Sequence, residues 1–211
     1  MPLFNRTVAR STALFIWTLS LTISLLFLFA EVATPIVQRN QIEHKLPVHK
    51  TLYLERGIYD EEMYHILDAA MEWNRATNGQ VVFDIKRLPQ ADLKAADAII
   101  IFNVTPDFPD IIILDSIKHY STLGYYNSRG LDYIALVDQR ISEYNYDAVV
   151  MHELGHALGL EHPDSDEHPD IGIGSLMYSV VDAGSNHITN EDLKQFCKLY
   201  HCDSSKFHGF P

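Results

Sequence analysis

Cysteine is nearly absent. Cys197 and Cys202 are the only two in 211 residues, too few for a small fold framed by disulfides. No second cysteine pair or matching histidine spacing stands near them, so they do not form a zinc site of their own. Five positions apart, they allow a small disulfide loop if the compartment is oxidising, or two unpaired thiols. Basic residues are also few, 16 against 28 acidic ones, a formal charge of −12. That balance argues against nucleic acid or an anionic membrane surface as a partner. Repeats and low-complexity tracts are missing too, and with 47% hydrophobic residues most of the chain reads as globular.

Charge is missing altogether from one stretch. Residues 11–30 contain no ionisable side chain, and 20 such residues suffice to span a bilayer as a helix. Arg6 and Arg10 precede the stretch and Glu31 is the first acidic residue, so the positive-inside rule leaves the N-terminus in the cytoplasm and exports the chain from Glu31 onward. A cleaved signal peptide competes with an uncleaved anchor. Leu28-Phe29-Ala30 is a poor cleavage site and the apolar run is long, which favours the anchor. Residues 1–30 are then a signal-anchor or signal peptide, 31–48 a linker with Pro35 and Pro47, and 49–211 an extracytoplasmic domain. Arg6 and Arg10 being the only bases before residue 31, the remainder carries 14 bases against all 28 acids.

Within that domain, Lys50–Glu55 alternates polar and apolar as a half-buried strand does. Asp60 can cap a helix running to about Thr77, with Met63, Ile66, Leu67, Ala70, Met71 and Trp73 as its apolar face. Gln80–Lys86 reads as a strand, and the near-continuous apolar run Asp97–Val104 as a central one. The segment from Asp110 to Leu131 is harder to read, holding Ile111–Leu114 and then a loop rich in Tyr, Ser and Gly. Thr122–Asn127 fits an edge strand whose Tyr125 and Tyr126 line a cleft or simply pack. Asp132–Val137 is the last strand. A helix comes next over Tyr146–Leu158, made to be buried by Ala148, Val149, Met151, Leu154, Ala157 and Leu158. At the far end Thr189 can cap the amide of Asp192, and Ile188 can staple against Leu193, so a final helix starts there.

The second of these helices carries the chemistry. His152-Glu153-Leu154-Gly155-His156-Ala157-Leu158-Gly159-Leu160-Glu161-His162 has the spacing H-E-x-x-H-x-x-G-x-x-H. On a helix His152 and His156 lie one turn apart on one face and can share a metal ion. Gly159 lets the backbone leave the helix and bring His162 back as a third ligand. Three protein ligands leave zinc an open position, which marks a catalytic site. Glu153 is beside the first ligand, close enough to handle a proton without being a ligand. In a shuffled chain of this composition the pattern arises roughly 10⁻⁴ times, so histidines that merely pack are a poor account of it.

With this motif the chain resembles the metzincin metallopeptidases, and most closely the matrixin type. Ser175-Leu176-Met177-Tyr178 is similar to the matrixin Met-turn. The resemblance implies an α+β, zincin-like catalytic domain: a twisted mixed sheet, an active-site helix and a C-terminal helix, preceded here by the N-terminal hydrophobic helix. It implies that Met177 packs as a soft floor beneath the zinc. Tyr178 directly follows the methionine and is not assigned as a ligand. Two departures stand out. Pro163 follows the third histidine, and 15 positions separate His162 from Met177, longer than usual, with an acidic loop at Asp164–Gly174. Matrixin zymogens hold the zinc with a propeptide cysteine; no cysteine precedes the motif here, so any latency needs another device.

The activity implied is that of a zinc-dependent metalloendopeptidase. Zn²⁺ on His152, His156 and His162 acidifies a water, Glu153 acts as general base, and a peptide or protein substrate pairs along the edge strand. Two other classes stay open: a membrane-tethered zinc-containing binding module without turnover, and a zinc hydrolase acting on a non-peptide bond.

Overall fold

The computed structural model describes residues 45–88, 97–118, 121–163, 174–180 and 186–210. Five strands form one mixed sheet. They are β1 (Val48–Leu54), β2 (Val81–Arg87), β3 (Ala98–Asn103), β4 (Gly124–Asn127) and β5 (Tyr133–Leu136), in the spatial order β2-β1-β3-β5-β4. The first four neighbours run parallel, and β4 closes one flank antiparallel to β5. The sheet thus has the mixed character expected, and the apolar run of β3 is its middle strand.

Period-two alternation sets the inner face. Leu52 and Leu54 of β1, Ile99 and Ile101 of β3, and Ile134 and Leu136 of β5 are all buried on one side. The near-continuous apolar reading of β3 has its cause on the other side. Phe102 packs there edge-on against Phe108 and at a tilt against Tyr133, so the second face of this strand is partly covered as well.

Against the inner face lie α1 (Asp60–Ala76) and α3 (Tyr146–Ala157), with α4 (Asn190–Tyr200) beyond them. The N-cap of α1 is Tyr59 rather than Asp60, and Glu62 turns back to accept the Tyr59 amide at 2.6 Å. The buried stripe of α1 is Ile66, Ala69, Ala70, Trp73 and Ala76, whereas Leu67 and Met71 are 41% and 58% exposed. The apolar face is therefore rotated from the one expected. Small alanines, weak as a hydrophobic signal, let α1 approach α3 closely, and Trp73 Nε1 donates to the Met151 carbonyl there at 3.0 Å.

One element is absent from the sequence expectation. Pro109–Lys118 forms a helix, α2, between β3 and β4, with Pro109 at its first position, where a missing N–H costs nothing. Only Ile111 is fully buried, and Ile112, Ile113 and Ile117 face outward. The motif helix is accordingly the third α-helix and not the second.

The last helix begins as expected. Thr189 and Asp192 exchange hydrogen bonds in a capping box, and Ile188 and Leu193 are both buried. It ends at His201 in the left-handed conformation, and Cys197 is disulfide-bonded to Cys202. The tail then returns, with the His208 amide donating to the Ala76 carbonyl and the Phe210 amide to that of Ile188.

Among the described residues no helix is long and apolar enough to cross a membrane. The apolar segment 11–30 and residues 31–44 of the linker expected over 31–48 lie outside the described residues, as does most of the acidic loop after Pro163; β1 already includes Val48.

Candidate metal centre

The site starts from a helix that is buried almost all round. Ala148, Val149, Val150, Met151, Leu154 and Ala157 are in the core, so α3 cannot roll, and its two histidines project at a fixed angle. The His152 and His156 rings are 4.7 Å apart between centroids. Beyond Ala157 the backbone reverses at Gly159, whose φ of +90° is a left-handed conformation that a side chain disfavours. The Leu160 amide reaches back to the Gly155 carbonyl at 3.0 Å and closes the turn. His162 then returns, its Nε2 at 3.0 Å from that of His152 and 3.1 Å from that of His156.

Two of the three rings are oriented by their other nitrogen. His152 Nδ1 donates to the Leu176 carbonyl at 2.8 Å and His156 Nδ1 to the Leu160 carbonyl at 2.9 Å. A carbonyl can only accept, so the proton sits on Nδ1 and Nε2 turns its lone pair toward the centre. This is the support that metal-ligating histidines receive. The donor set fits zinc. Zn–N bonds of about 2.0–2.1 Å in a tetrahedron place neighbouring nitrogens about 3.4 Å apart, close to the spacing found. No other group of three or more His, Cys, Asp or Glu among the described residues converges in this way.

The expected floor is present. Met177 is 1% exposed and packs under α3 at Gly155, where a Cβ would come within 2.4 Å of its sulfur. Gly155 is thus there for space. Its replacement would also crowd Trp73 of α1 at 3.3 Å. The same turn supplies the Leu176 carbonyl that orients His152, so floor and ligand are parts of one unit.

Sequence reasoning assigns Asp192 only to the cap of α4. The structure gives it a second task. Asp192 is 2% exposed and accepts from the Thr189 amide at 2.7 Å, the Leu176 amide at 3.1 Å, the Met177 amide at 3.2 Å and the Ser175 hydroxyl. One carboxylate therefore ties the start of α4 to the turn beneath the histidines. A carboxylate has acceptor sites beyond those a capping box uses, and that surplus is the only signal the sequence offers. Two further residues of α4 escape sequence reasoning. Gln195 Nε2 donates to the Glu161 carbonyl at 2.9 Å, and the Tyr200 hydroxyl to the Leu158 carbonyl at 3.0 Å. Burial pushes the Tyr200 phenol up to about 12, so it stays a donor at neutral pH. From one helix, these side chains hold the turn, the loop leading to His162 and the end of α3.

Glu153 follows the first histidine and is 5% exposed, held under β4. The two tyrosines of that strand point to opposite sides. Tyr125 packs edge-on against Tyr133, and Tyr126 lies against the core with its hydroxyl on Asp132 at 2.9 Å. They pack the edge and do not form a shared stripe along a cleft. The segment entering β4 is clamped by Asp115, which accepts the Thr122 amide at 2.8 Å and pairs with Arg140 at 2.8 Å. Burial alone would raise the Asp115 carboxyl, but the Thr122 hydrogen bonds and the Arg140 guanidinium hold it below its ordinary value.

The sequence matches the family model of the matrixins, peptidase family M10, over residues 56–201. No curated protein matches it. Solved structures with a similar course include an archaemetzincin from Methanopyrus kandleri, 15% identical with a TM-score of 0.45, covering 78% of this chain and 98% of that one. Another is a zinc-dependent peptidase from Methanocorpusculum labreanum, 15% identical with a TM-score of 0.38, covering 69% of this chain and 99% of that one.

Proposed function

The chain belongs to the matrixin family, and from that premise we propose that it is a zinc-dependent metalloendopeptidase in which His152, His156 and His162 hold the metal and Glu153 is the general base. The observation that carries this reading is the convergence of three Nε2 atoms, two of them on rings whose Nδ1 is fixed by a backbone carbonyl. When bound, zinc supplies a Lewis acid that acidifies water and polarises a peptide carbonyl.

The chain's own residues do the rest. Glu153 takes the proton from the attacking water on its carboxylate and passes it to the departing amine nitrogen. The carbonyls of Leu176 and Leu160 fix Nδ1 of His152 and His156 as the donor, leaving Nε2 as the atom that can act as a ligand. Among the described strands β4 is the outermost on its flank, and an extended peptide can add along it as a further strand. The substrate is a peptide or protein. The 20 uncharged residues 11–30 after Arg6 and Arg10 support an N-terminal anchor that holds residues 49–211 outside the cytoplasm through a linker at 31–48.

The test compares the full chain in detergent with Glu153→Ala, measuring zinc content and cleavage of a mixed peptide library with and without chelator. Zinc in both and chelator-sensitive cleavage in the wild type alone is the expected result. Zinc in both and cleavage in neither would favour a binding module or a hydrolase of another bond. Absence of zinc from both would end this reading.

A further inference from the structure

Gly124, the first residue of β4, stands directly against Glu153. A Cβ built on it would lie 2.7 Å from Glu153 Oε1, 2.9 Å from Cγ and 3.1 Å from Cδ. Its backbone conformation does not require glycine, because its φ is not among the positive ones. Glycine within a strand is otherwise a cost, since it brings backbone entropy and no packing. What this position needs is the missing side chain.

We propose that Gly124 is a positioning residue for Glu153, its bare α-carbon forming the wall that fixes where the carboxylate stands. The inference rests on the reading of Glu153 as the base. Neither backbone has room to yield. Glu153 is 5% exposed, on a helix buried almost all round. The strand is held as well: the Leu123 carbonyl accepts from the Val137 amide at 2.8 Å, the Thr122 carbonyl from Arg140 at 3.0 Å, and the Thr122 amide donates to Asp115. Gly124 itself is paired with Leu136 of β5. A methyl group added here meets the Glu153 side chain along its length and not only at its flexible tip. The carboxylate moves while the strand stays. Since Gly124 opens the strand that offers its edge to the substrate, the peptide and the base are aligned on a single piece of backbone.

The experiment is Gly124→Ala in the full chain, read in three ways beside wild type. Kinetics on a cleaved peptide should show kcat lower by about 10–100-fold at unchanged KM and zinc content, the signature of a reacting group displaced by about an ångström. A crystal structure of the variant should show the Glu153 carboxylate displaced and the β4–β5 pairing intact. A stability cycle with Glu153→Ala should show that Gly124→Ala is better tolerated once the glutamate is gone. This last reading still decides the matter if the single variant folds poorly. An unchanged kcat, a loss confined to KM, a strand that retreats while Glu153 stays, or an equal stability cost in both backgrounds would each overturn the proposal. A wild type that cleaves nothing would count against the peptidase reading instead, and the structure and the stability cycle would still judge the contact.

Discussion

His152 donates from Nδ1 to the carbonyl of Leu176 at 2.8 Å, so the tautomer of the first histidine is set by a turn 24 residues further along the chain. That turn is held in its place by Asp192. Two successive supports, Asp192 on α4 and the turn it holds, therefore stand behind one ligand nitrogen.

Asp192→Asn should damage this chain of supports without touching a ligand. The Leu176 amide is on one carboxylate oxygen and the Met177 amide on the other, so whichever oxygen the amide nitrogen replaces, a buried donor faces a donor, which is costly. We expect a loss of about 3 kcal/mol in stability, with zinc affinity weakened about 10–100-fold. Denaturant unfolding and a competitive zinc titration measure the two effects.

Gly155→Ala should destabilise, although alanine is the better helix former. The added Cβ would meet Met177 sulfur at 2.4 Å, and overpacking of this kind costs about 1–3 kcal/mol. A lower thermal midpoint is expected, recovered in part when Met177 is also replaced by Ala. An unchanged midpoint would mean that the turn can slide freely under the helix.

Asp115→Asn should change the acid limb of the stability curve. The Asp115 carboxyl is held below its ordinary value in the fold, so its contribution is present above the unfolded pKa of about 3.9 and lost as pH falls through the folded one. Wild type should therefore exceed the variant at pH 7, and the gap should close as the solution is acidified below that value. Denaturant midpoints taken from pH 7 downward check this, and a gap that widens in acid would contradict it.

Removing the link between Cys197 and Cys202 by the pair Cys197→Ala and Cys202→Ser should cost about 2 kcal/mol, the loop-entropy value for so short a closure. The disulfide fastens the last turn of α4, next to Tyr200 and its hydrogen bond to Leu158. The comparison is a denaturant midpoint with and without the pair.

Much of this site is legible from spacing alone, because a helix with His152 and His156 one turn apart, a glycine and a third histidine leave little geometric freedom. The strands are legible from alternation, and the start of α4 from Thr189 and Asp192. Three features are not. The run Ile111–Leu114 is apolar enough for a strand, yet it is helical with Ile111 alone fully buried, so its apolar residues do not mark a core face. The buried stripe of α1 depends on Ala69 and Ala76, which score weakly as hydrophobic but pack closely. Gly155 and Gly124 are defined by the groups opposite them, Met177 and Glu153, and such pairings across the fold leave no trace in local pattern.

The two flanks of the sheet are not equivalent, and the difference bears on where a further strand can add. On one flank β2 exposes Asp84, Lys86 and Arg87, charges of both signs that discourage another strand from annealing there. On the other, β4 is Gly-Tyr-Tyr-Asn, short and without charge. Of the two edge strands among the described residues, only β2 carries such charges. Charge on the β2 side chains thus directs an added extended strand toward the β4 side of the described sheet.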